Sequence, residues 1–453
     1  MVVISARPDL PRGPFLVAGL ARSGSAVARA LAERGEQVIG VDSGHPEHAE
    51  GLTGTGVEVV LDVDGVRQLE RARCVVKSPG VPQEAPVVVA ARDRGVPVLG
   101  ELEVAWRMVE NRTVAVTGTN GKTTVTELIG HVHREAGLPV AVAGNVGTPL
   151  ASLAGDVDPA ATVVCECSSF QLEDTERFDP ECAVFLNFAP DHLDRHPSLD
   201  DYLEAKLRIF ANQTEDDVAV YDADEPALRG RELGGKARRI PYCSQSSDVG
   251  CELSVVDGSI VAEGESLVAT SELSLLGPHN AANAIAAAAA SLAMDVPRDA
   301  VAAGLRSFPG VPHRLERIAE IDGVAYVNDS KATNAAAAAA ALRSFDGGVR
   351  AILGGSSKGE TFEGLVEPVT ERCVACYLIG DAAEQLERDL APIRERGVEV
   401  SRERDLEAAV RAAAAAARPG EVVLLAPACA SFDSYRDFEA RGEHFRALVG
   451  SLA

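Results

Sequence analysis

The stretch that most constrains this chain is residues 113–137, "TVAVTGTNGKTTVTELIGHVHREAG". Its first four residues are rich in β-branched side chains, as a buried parallel strand requires. After the glycine turn, Val125, Leu128, Ile129 and Val132 recur at helical spacing, and Gly137 followed by Pro139 supplies a stop. A strand, a glycine turn and a helix N-terminus aim several backbone N–H groups at one place, and the helix dipole adds to their pull on a phosphate. Lys122 would add a compact positive charge, and the hydroxyl of Thr123 or Thr124 could hold Mg²⁺. The common phosphate-loop pattern places a glycine six residues before the lysine, where this chain has Val116, so the first glycine is Gly118. The stretch alone leaves two readings open: a variant phosphate loop or a plain strand-to-helix turn.

Composition narrows the setting. A chain of 453 residues suggests two or three domains, each with its own core. The net charge of -25 argues against nucleic acid or an anionic membrane as partner. No apolar run reaches transmembrane length, and "MVVISARPDLPRG" lacks the apolar core of a signal peptide. Nine cysteines without framework spacing suggest a reducing, cytoplasmic compartment. The lone C-x-x-C at Cys373 and Cys376 sits in an apparent buried strand and is expected to be core. Only six of the 43 basic residues are lysines: Lys77, Lys122, Lys206, Lys236, Lys331 and Lys358. Arginine does the generic work here, so the lysines are suspects for tasks arginine cannot perform, as a compact phosphate ligand or a nucleophilic amine. Lys77 and Lys236 are taken as incidental.

Three segments follow. Residues 1–110 open with "PFLVAGLARSGSAVARALAERGEQVIGVDSG", a strand, glycine turn, helix and strand with Asp42 at the end of the second strand. The middle glycine of the dinucleotide fingerprint is replaced by Ala21. The unit therefore supports a phosphate or ribose site at Gly19, Arg22, Ser23 and Gly24 without identifying NAD, and weakens a dehydrogenase reading. A second turn, "KSPGVP", follows another strand. Residues 111–309 carry the phosphate loop, and later strands there end near Glu166 and near Asp191 and His192. Residues 310–453 lie beyond the Gly/Pro-rich hinge "FPGVPHR", with polar clusters "NDSKATN", "GGSSKGETF" and "PACASFDSY" at strand ends. Alanine runs between them are expected to be helices.

Ligands collect at the C-terminal ends of strands in open α/β sheets. Glu166 could hold Mg²⁺ opposite the phosphate loop, since hard cations take oxygen ligands. In "PDHLDRH", zinc is disfavoured by the absence of partners at zinc spacing. His192 better suits a Mg²⁺–phosphate site, and His196 a structural role. Lys206 stands on an amphipathic helix, and its scarcity argues against an ordinary surface lysine. Asn280 and Asn283 share one helical face, where amides could hydrogen-bond a nucleotide. No guanine-reading N-K-x-D follows the loop, which argues against a GTPase switch.

The stretches "TGTNGKTT", "ECSSFQLE", "NFAPDHLDRH", "YLEAKLRIF", "GPHNAANA", "GVPHRLE", "NDSKATN" and "PACASFDSY" resemble, in order, the marks of the Mur ligases. The resemblance spans nearly the whole chain. It implies an α/β protein of three domains: a Rossmann-like N-terminal domain, a central P-loop-type ATPase domain with a mostly parallel sheet, and a Rossmann-like C-terminal domain. Within the family, "NDSKATN", "VPHR" and "PACASFD" are similar to the branch that adds D-glutamate to UDP-N-acetylmuramoyl-L-alanine with ATP, through an acyl phosphate. A family ligase with a different amino-acid acceptor is the alternative.

Residue by residue, the resemblance places ATP phosphates on Gly118, Thr119, Asn120, Gly121, Lys122, Thr123 and Thr124. It gives Mg²⁺, as two ions, to Thr123 and Glu166 and to His192 and Lys206, with Lys206 carbamylated. Catalysis then falls to Lys122, Glu166, His192 and Lys206. Asn280, Asn283, Arg314, Asp329 and Lys331 would reach the nucleotide. Gly19, Arg22, Ser23, Gly24, Asp42, Ser43, Gly80 and Asn145 would hold the UDP substrate, and Thr333, Lys358, Ser431 and Phe438 D-glutamate. The expected enzyme is a cytoplasmic monomer acting on small molecules. Ser356 and Ser357 depart from the Asp-Gly pair usual before the lysine of that loop, which bears on the amino-acid pocket.

Overall fold

The computed structural model describes residues 6–191, 195–245, 250–274, 278–356 and 361–452. The first five strands are β1 (Phe15–Ala18), β2 (Val38–Val41), β3 (Val57–Val60), β4 (Cys74–Lys77) and β5 (Val98–Gly100). They form one parallel sheet in the order β3-β2-β1-β4-β5. β1, β2 and β4 are buried along their whole length, which is why they read as unbroken apolar runs rather than alternating ones. The strand order reverses between β1 and β4, so the turns after them, at Gly19 and at Ser78, open on one crevice.

The second sheet contains β6 (Thr113–Thr117), β7 (Val140–Gly144), β8 (Thr162–Glu166), β9 (Cys182–Phe185), β10 (Val218–Asp222), β11 (Arg238–Tyr242), β12 (Leu253–Val256), β13 (Ser259–Ala262) and β14 (Glu265–Ala269). Its order is β14-β13-β12-β11-β10-β9-β6-β8-β7, parallel except for the β12–β13–β14 meander. The strand before the phosphate loop, β6, therefore lies between β8 and β9. β9 stops at Phe185, several residues before the Asp191 end expected from sequence. The alanine-rich helix Pro278–Ala293 is buried from Ala284 to Ala290, which small side chains on every face allow.

Residues 1–274 and 278–308 make one compact unit, and residues 309–453 with 275–277 make another. In the first unit one apolar core runs through both sheets, from Phe15 and Val17 to Phe185 and Phe210. Buried charges stitch it. Arg7 pairs with Glu181 at 2.9 Å and lies 4.6 Å from the Trp106 ring centroid. Glu103 accepts from the amides of Glu176, Arg177 and Phe178. Lys77 is not the incidental residue the sequence suggested: it is buried, with Asp174 at 2.7 Å and Glu173 at 3.5 Å.

The second unit contains β15 (Glu316–Ile321), β16 (Val324–Asn328), β17 (Val349–Gly354), β18 (Cys373–Ile379), β19 (Glu399–Arg402) and β20 (Val422–Leu425). The order is β15-β16-β20-β17-β18-β19, antiparallel only at β15–β16. The alanine runs are helices, Ala335–Arg343 and Leu406–Ala416, N-capped by the side chains of Asn334 and Asp405. Cys373 and Cys376 are buried in β18. Cys243 and Cys251 form a disulfide, so the cysteine count does not carry the compartment argument; the other seven thiols are buried and free.

Candidate active site

The phosphate-loop stretch folds as its pattern demands. β6 ends at Thr117, the turn runs over Gly118–Gly121, and the helix Lys122–Glu135 begins. Glycine is required at both ends of the turn. Gly118 has φ +151°, and Gly121, the N-cap, has φ +83°, where a Cβ would lie 2.4 Å from Asn283 Oδ1. No side chain caps this helix and its first turn carries no acidic residue, which leaves the dipole's positive end for an anion.

Two lysines converge on the turn. Lys122 Nζ donates to the carbonyls of Gly118 and Thr119 at 3.0 and 2.9 Å. Lys206, from the helix Leu199–Leu207, donates to the same Gly118 carbonyl at 2.8 Å, with its ammonium nitrogen 4.6 Å from the Tyr202 ring centroid. Lys206 is 1% exposed. Burial, and then the charge of Lys122, pull its pKa down to about 6, against smaller opposing effects of Asp191 and Glu166. At neutral pH it is mostly an uncharged amine.

Glu166 closes β8 beside the loop. It is 3% exposed, and neutral donors meet both its oxygens: Thr123 Oγ1 at 2.8 Å and Asn145 Nδ2 at 3.1 Å. Thr123 rather than Thr124 is thus the hydroxyl turned to the carboxylate. A buried carboxylate, a hydroxyl and a neighbouring phosphate cradle form a hard-oxygen set that fits Mg²⁺, which keeps few protein ligands and takes the rest from phosphate and water. No cluster of three or more His, Cys, Asp or Glu able to hold a metal occurs among the described residues. His192 lies outside the described residues. His196 is structural as expected: it is buried, stacked on Phe170, with Nε2 3.0 Å from Ser169 Oγ.

Asn280 and Asn283 are joined, the amide of Asn283 donating to Asn280 Oδ1 at 3.0 Å, and Asn283 abuts Gly121. The structure thus brings both to the loop. At the first sheet, Gly24 packs so closely under Gly19 that a Cβ would meet the Gly19 carbonyl oxygen at 1.8 Å. Asp42 accepts from the amides of Leu20 and Gly44, at 2.7 and 2.9 Å, and so shapes the turn. Arg22 donates to the Gly147 carbonyl at 2.7 Å, tying this turn to the loop that carries Asn145. Ser43 and Gly80 are exposed near the same strand ends, with Ser23 half-buried. Ser78, which sequence reasoning did not single out, donates to the Gly19 carbonyl at 2.7 Å.

In the second unit, β16, β20 and β17 are adjacent, so their three exit loops gather. Asp329 accepts from the amide of Leu315, and burial raises its pKa to about 6. The Lys331 amide donates to the His313 carbonyl at 3.1 Å, bringing Lys331 beside Arg314. Thr333 and Phe438 are half-buried and Ser431 is buried. Lys358 lies outside the described residues. The residue that binds the loops after β16 and β20 together was invisible in the sequence. Arg441, 1% exposed, donates to Ser330 Oγ and to the carbonyls of Ser330, Cys429 and Ala430 at 2.9–3.2 Å.

A doubly wound α/β protein with a lysine-bearing phosphate loop and a buried Thr–Glu pair has the parts of a nucleotide-phosphate-handling enzyme. Comparison with known proteins gives the family. Residues 14–100 match the Mur ligase MurD-like N-terminal domain, 116–291 the Mur ligase middle domain, and 313–429 the Mur ligase glutamate ligase domain. UDP-N-acetylmuramoylalanine–D-glutamate ligase of Pelotomaculum thermopropionicum is 42% identical, over 98% of this chain and 99% of its own length. The enzyme of that name from Acidobacterium capsulatum is 41% identical over 97% of each. Among solved structures, UDP-N-acetylmuramate-alanine ligase MurC of Thermotoga maritima shares the fold, with TM-score 0.62 at 18% identity, covering 98% of this chain and all of that one. The chain belongs to the Mur ligase family.

Proposed function

We propose that this protein joins D-glutamate to UDP-N-acetylmuramoyl-L-alanine at the expense of ATP. The observation that carries the reading is the convergence of Lys122 and Lys206 on the Gly118 carbonyl beside the Thr123–Glu166 pair. The acceptor assignment is supported by relatives that bear this activity in their name across nearly the whole chain.

A carboxylate is a poor electrophile until it carries a leaving group. In the proposed sequence, a substrate carboxylate oxygen attacks the γ-phosphorus of ATP and ADP departs, leaving an acyl phosphate. The amine of D-glutamate adds to the acyl carbon and loses a proton; the tetrahedral adduct then expels inorganic phosphate and leaves the amide. The chain's task is charge neutralisation and alignment. Gly118 to Thr124 cradle the phosphates, with Lys122 on the group transferred. Thr123 and Glu166 would hold one Mg²⁺, and His192 with Lys206 a second; the ions supply countercharge to the phosphates. Lys206 suits a ligand role only as a carbamate, and a buried neutral amine is the form of lysine that reacts with CO₂.

The same reading assigns Asn280, Asn283, Arg314, Asp329 and Lys331 to the nucleotide, and Gly19, Arg22, Ser23, Gly24, Asp42, Ser43, Gly80 and Asn145 to the UDP substrate. It gives Thr333, Lys358, Ser431 and Phe438 to D-glutamate. It divides the chain into domains at 110/111 and 309/310, takes the enzyme as a monomer, and places it in the cytoplasm because both nucleotide substrates are cytoplasmic. No described helix is long and apolar enough to cross a membrane.

Phosphate release from ATP with UDP-N-acetylmuramoyl-L-alanine, across a panel of D- and L-amino acids, tests this. Release that requires both the UDP substrate and D-glutamate is expected. Release with another amino acid alone would move the acceptor and implicate the Ser356–Ser357 departure.

A further inference from the structure

The phosphate loop is bonded to a segment that the proposed chemistry leaves without a role. Asn187 stands two residues beyond the end of β9 and is half-buried. Its backbone carbonyl accepts from the Thr119 amide at 2.9 Å. Its side chain pairs with the backbone of Asn120 in both directions: Oδ1 accepts from the Asn120 amide at 2.8 Å, and Nδ2 donates to the Asn120 carbonyl at 3.1 Å. One residue thereby fixes two consecutive residues of the turn, much as a neighbouring strand would. Two residues on, the Ala189 amide donates to Thr119 Oγ1 at 3.1 Å, and that hydroxyl also lies 3.2 Å from the Ala189 carbonyl and 3.3 Å from the Tyr202 hydroxyl. The stretch then reaches Asp191, whose charge acts on Lys206 and on Tyr202.

We infer that Asn187 is a positioning residue for the ATP phosphates, holding the turn at Thr119 and Asn120 in register with the segment that leads to Asp191. The inference rests on the phosphate-loop reading above. It follows from geometry and from what an amide can do. A turn closed by glycines at Gly118 and Gly121 has no stiffness of its own. Only a side chain carrying both a donor and an acceptor can pair with both the N–H and the C=O of one residue. The Asn120 amide is committed to this pair, so the cradle is shaped by where Asn187 holds that peptide. A displacement of about 1 Å in such a loop costs on the order of a hundredfold in rate.

Three variants test it in the full-length enzyme: Asn187→Ala, Asn187→Leu and Asn187→Asp. The last keeps an acceptor for the Asn120 amide but sets a carboxylate oxygen against the Asn120 carbonyl. Affinity for ADP by calorimetry, and KM for each of the three substrates, are the readouts, with thermal melting as the control on folding. Asn187→Ala and Asn187→Leu should weaken ADP binding and raise the KM for ATP by about ten- to a hundredfold, with the KM for the amino acid and the UDP substrate unchanged. Asn187→Asp should lie between them and wild type. Wild-type ADP affinity in all three variants would overturn the inference while leaving the phosphate-loop reading intact. So would a uniform rise in all three KM values together with a lowered melting point, the mark of a merely structural residue. Failure of the wild-type enzyme to bind ADP at all would overturn the phosphate-loop reading and this inference with it.

Discussion

Lys206 in the first unit and Arg441 in the second are both basic side chains 1% exposed, and the chain treats them in opposite ways. Lys206 has one carbonyl acceptor, Gly118, a second lysine beside it, and a pKa of about 6. Arg441 is held by a hydroxyl and the carbonyls of three residues, and burial lowers its pKa only to about 10, so it remains charged. The difference is chemical. An ammonium has a neutral form within reach of burial, whereas a guanidinium stays protonated and spreads its five donors over a fixed fork. Burial makes a neutral amine of the lysine and an organiser of two loops of the arginine.

Exchanging the two cation types is the sharpest way to break this contrast. Lys206→Arg should put a permanent positive charge where the neutral amine stands. Turnover should fall by at least about a hundredfold with the fold intact by circular dichroism. Near-normal turnover would show that the neutral amine is not needed there. The next effect is one of stability. Arg441→Met would strand the carbonyls of Ser330, Cys429 and Ala430 in a buried setting, at a cost of about 2–5 kcal/mol read in denaturant unfolding. Arg441→Lys, with one compact ammonium in place of the fork, should recover only part of that loss.

The smallest effect concerns an acid moved by the same physics. Burial, then the charges of Asp217 and Glu181, raise the pKa of Asp179 from 3.8 to about 7, against the opposing Arg7. The folded chain therefore binds more protons than the unfolded chain between those values. The carboxyl's favourable contribution is present at acid pH and is lost as pH rises through about 7. Asp179→Asn stays neutral, so its melting point should fall less than that of wild type between about pH 5 and about pH 8. Parallel curves would contradict the assignment.

The contrast also shows what was legible in the sequence. Lysine scarcity exposed Lys122, Lys206, Lys331 and Lys358, and the first two do meet at one carbonyl. Arginine abundance hid Arg441 for the same reason: nothing marks one arginine among so many. Lys77 looks incidental in the sequence, since its partners Glu173 and Asp174 lie about a hundred residues away and meet it only after two sheets pack. Periodicity and glycine punctuation revealed the strand–turn–helix units and the alanine helices, since those are local. Asn187 carries no charge and no periodic signal, and its pairing with Asn120 exists only once β6 and β9 lie side by side. Cys243 and Cys251 have no framework spacing, so their union was equally hidden.

The defining step of the proposed reaction is activation of a carboxylate by phosphorylation. The direct measurement uses UDP-N-acetylmuramoyl-L-alanine labelled with heavy oxygen in its carboxylate, with ATP and D-glutamate, and mass analysis of the phosphate released. Phosphate that has gained one labelled oxygen is expected, with an amide that retains the other. Unlabelled phosphate formed alongside amide would contradict it, since the carboxylate oxygen would then never have been bonded to phosphorus.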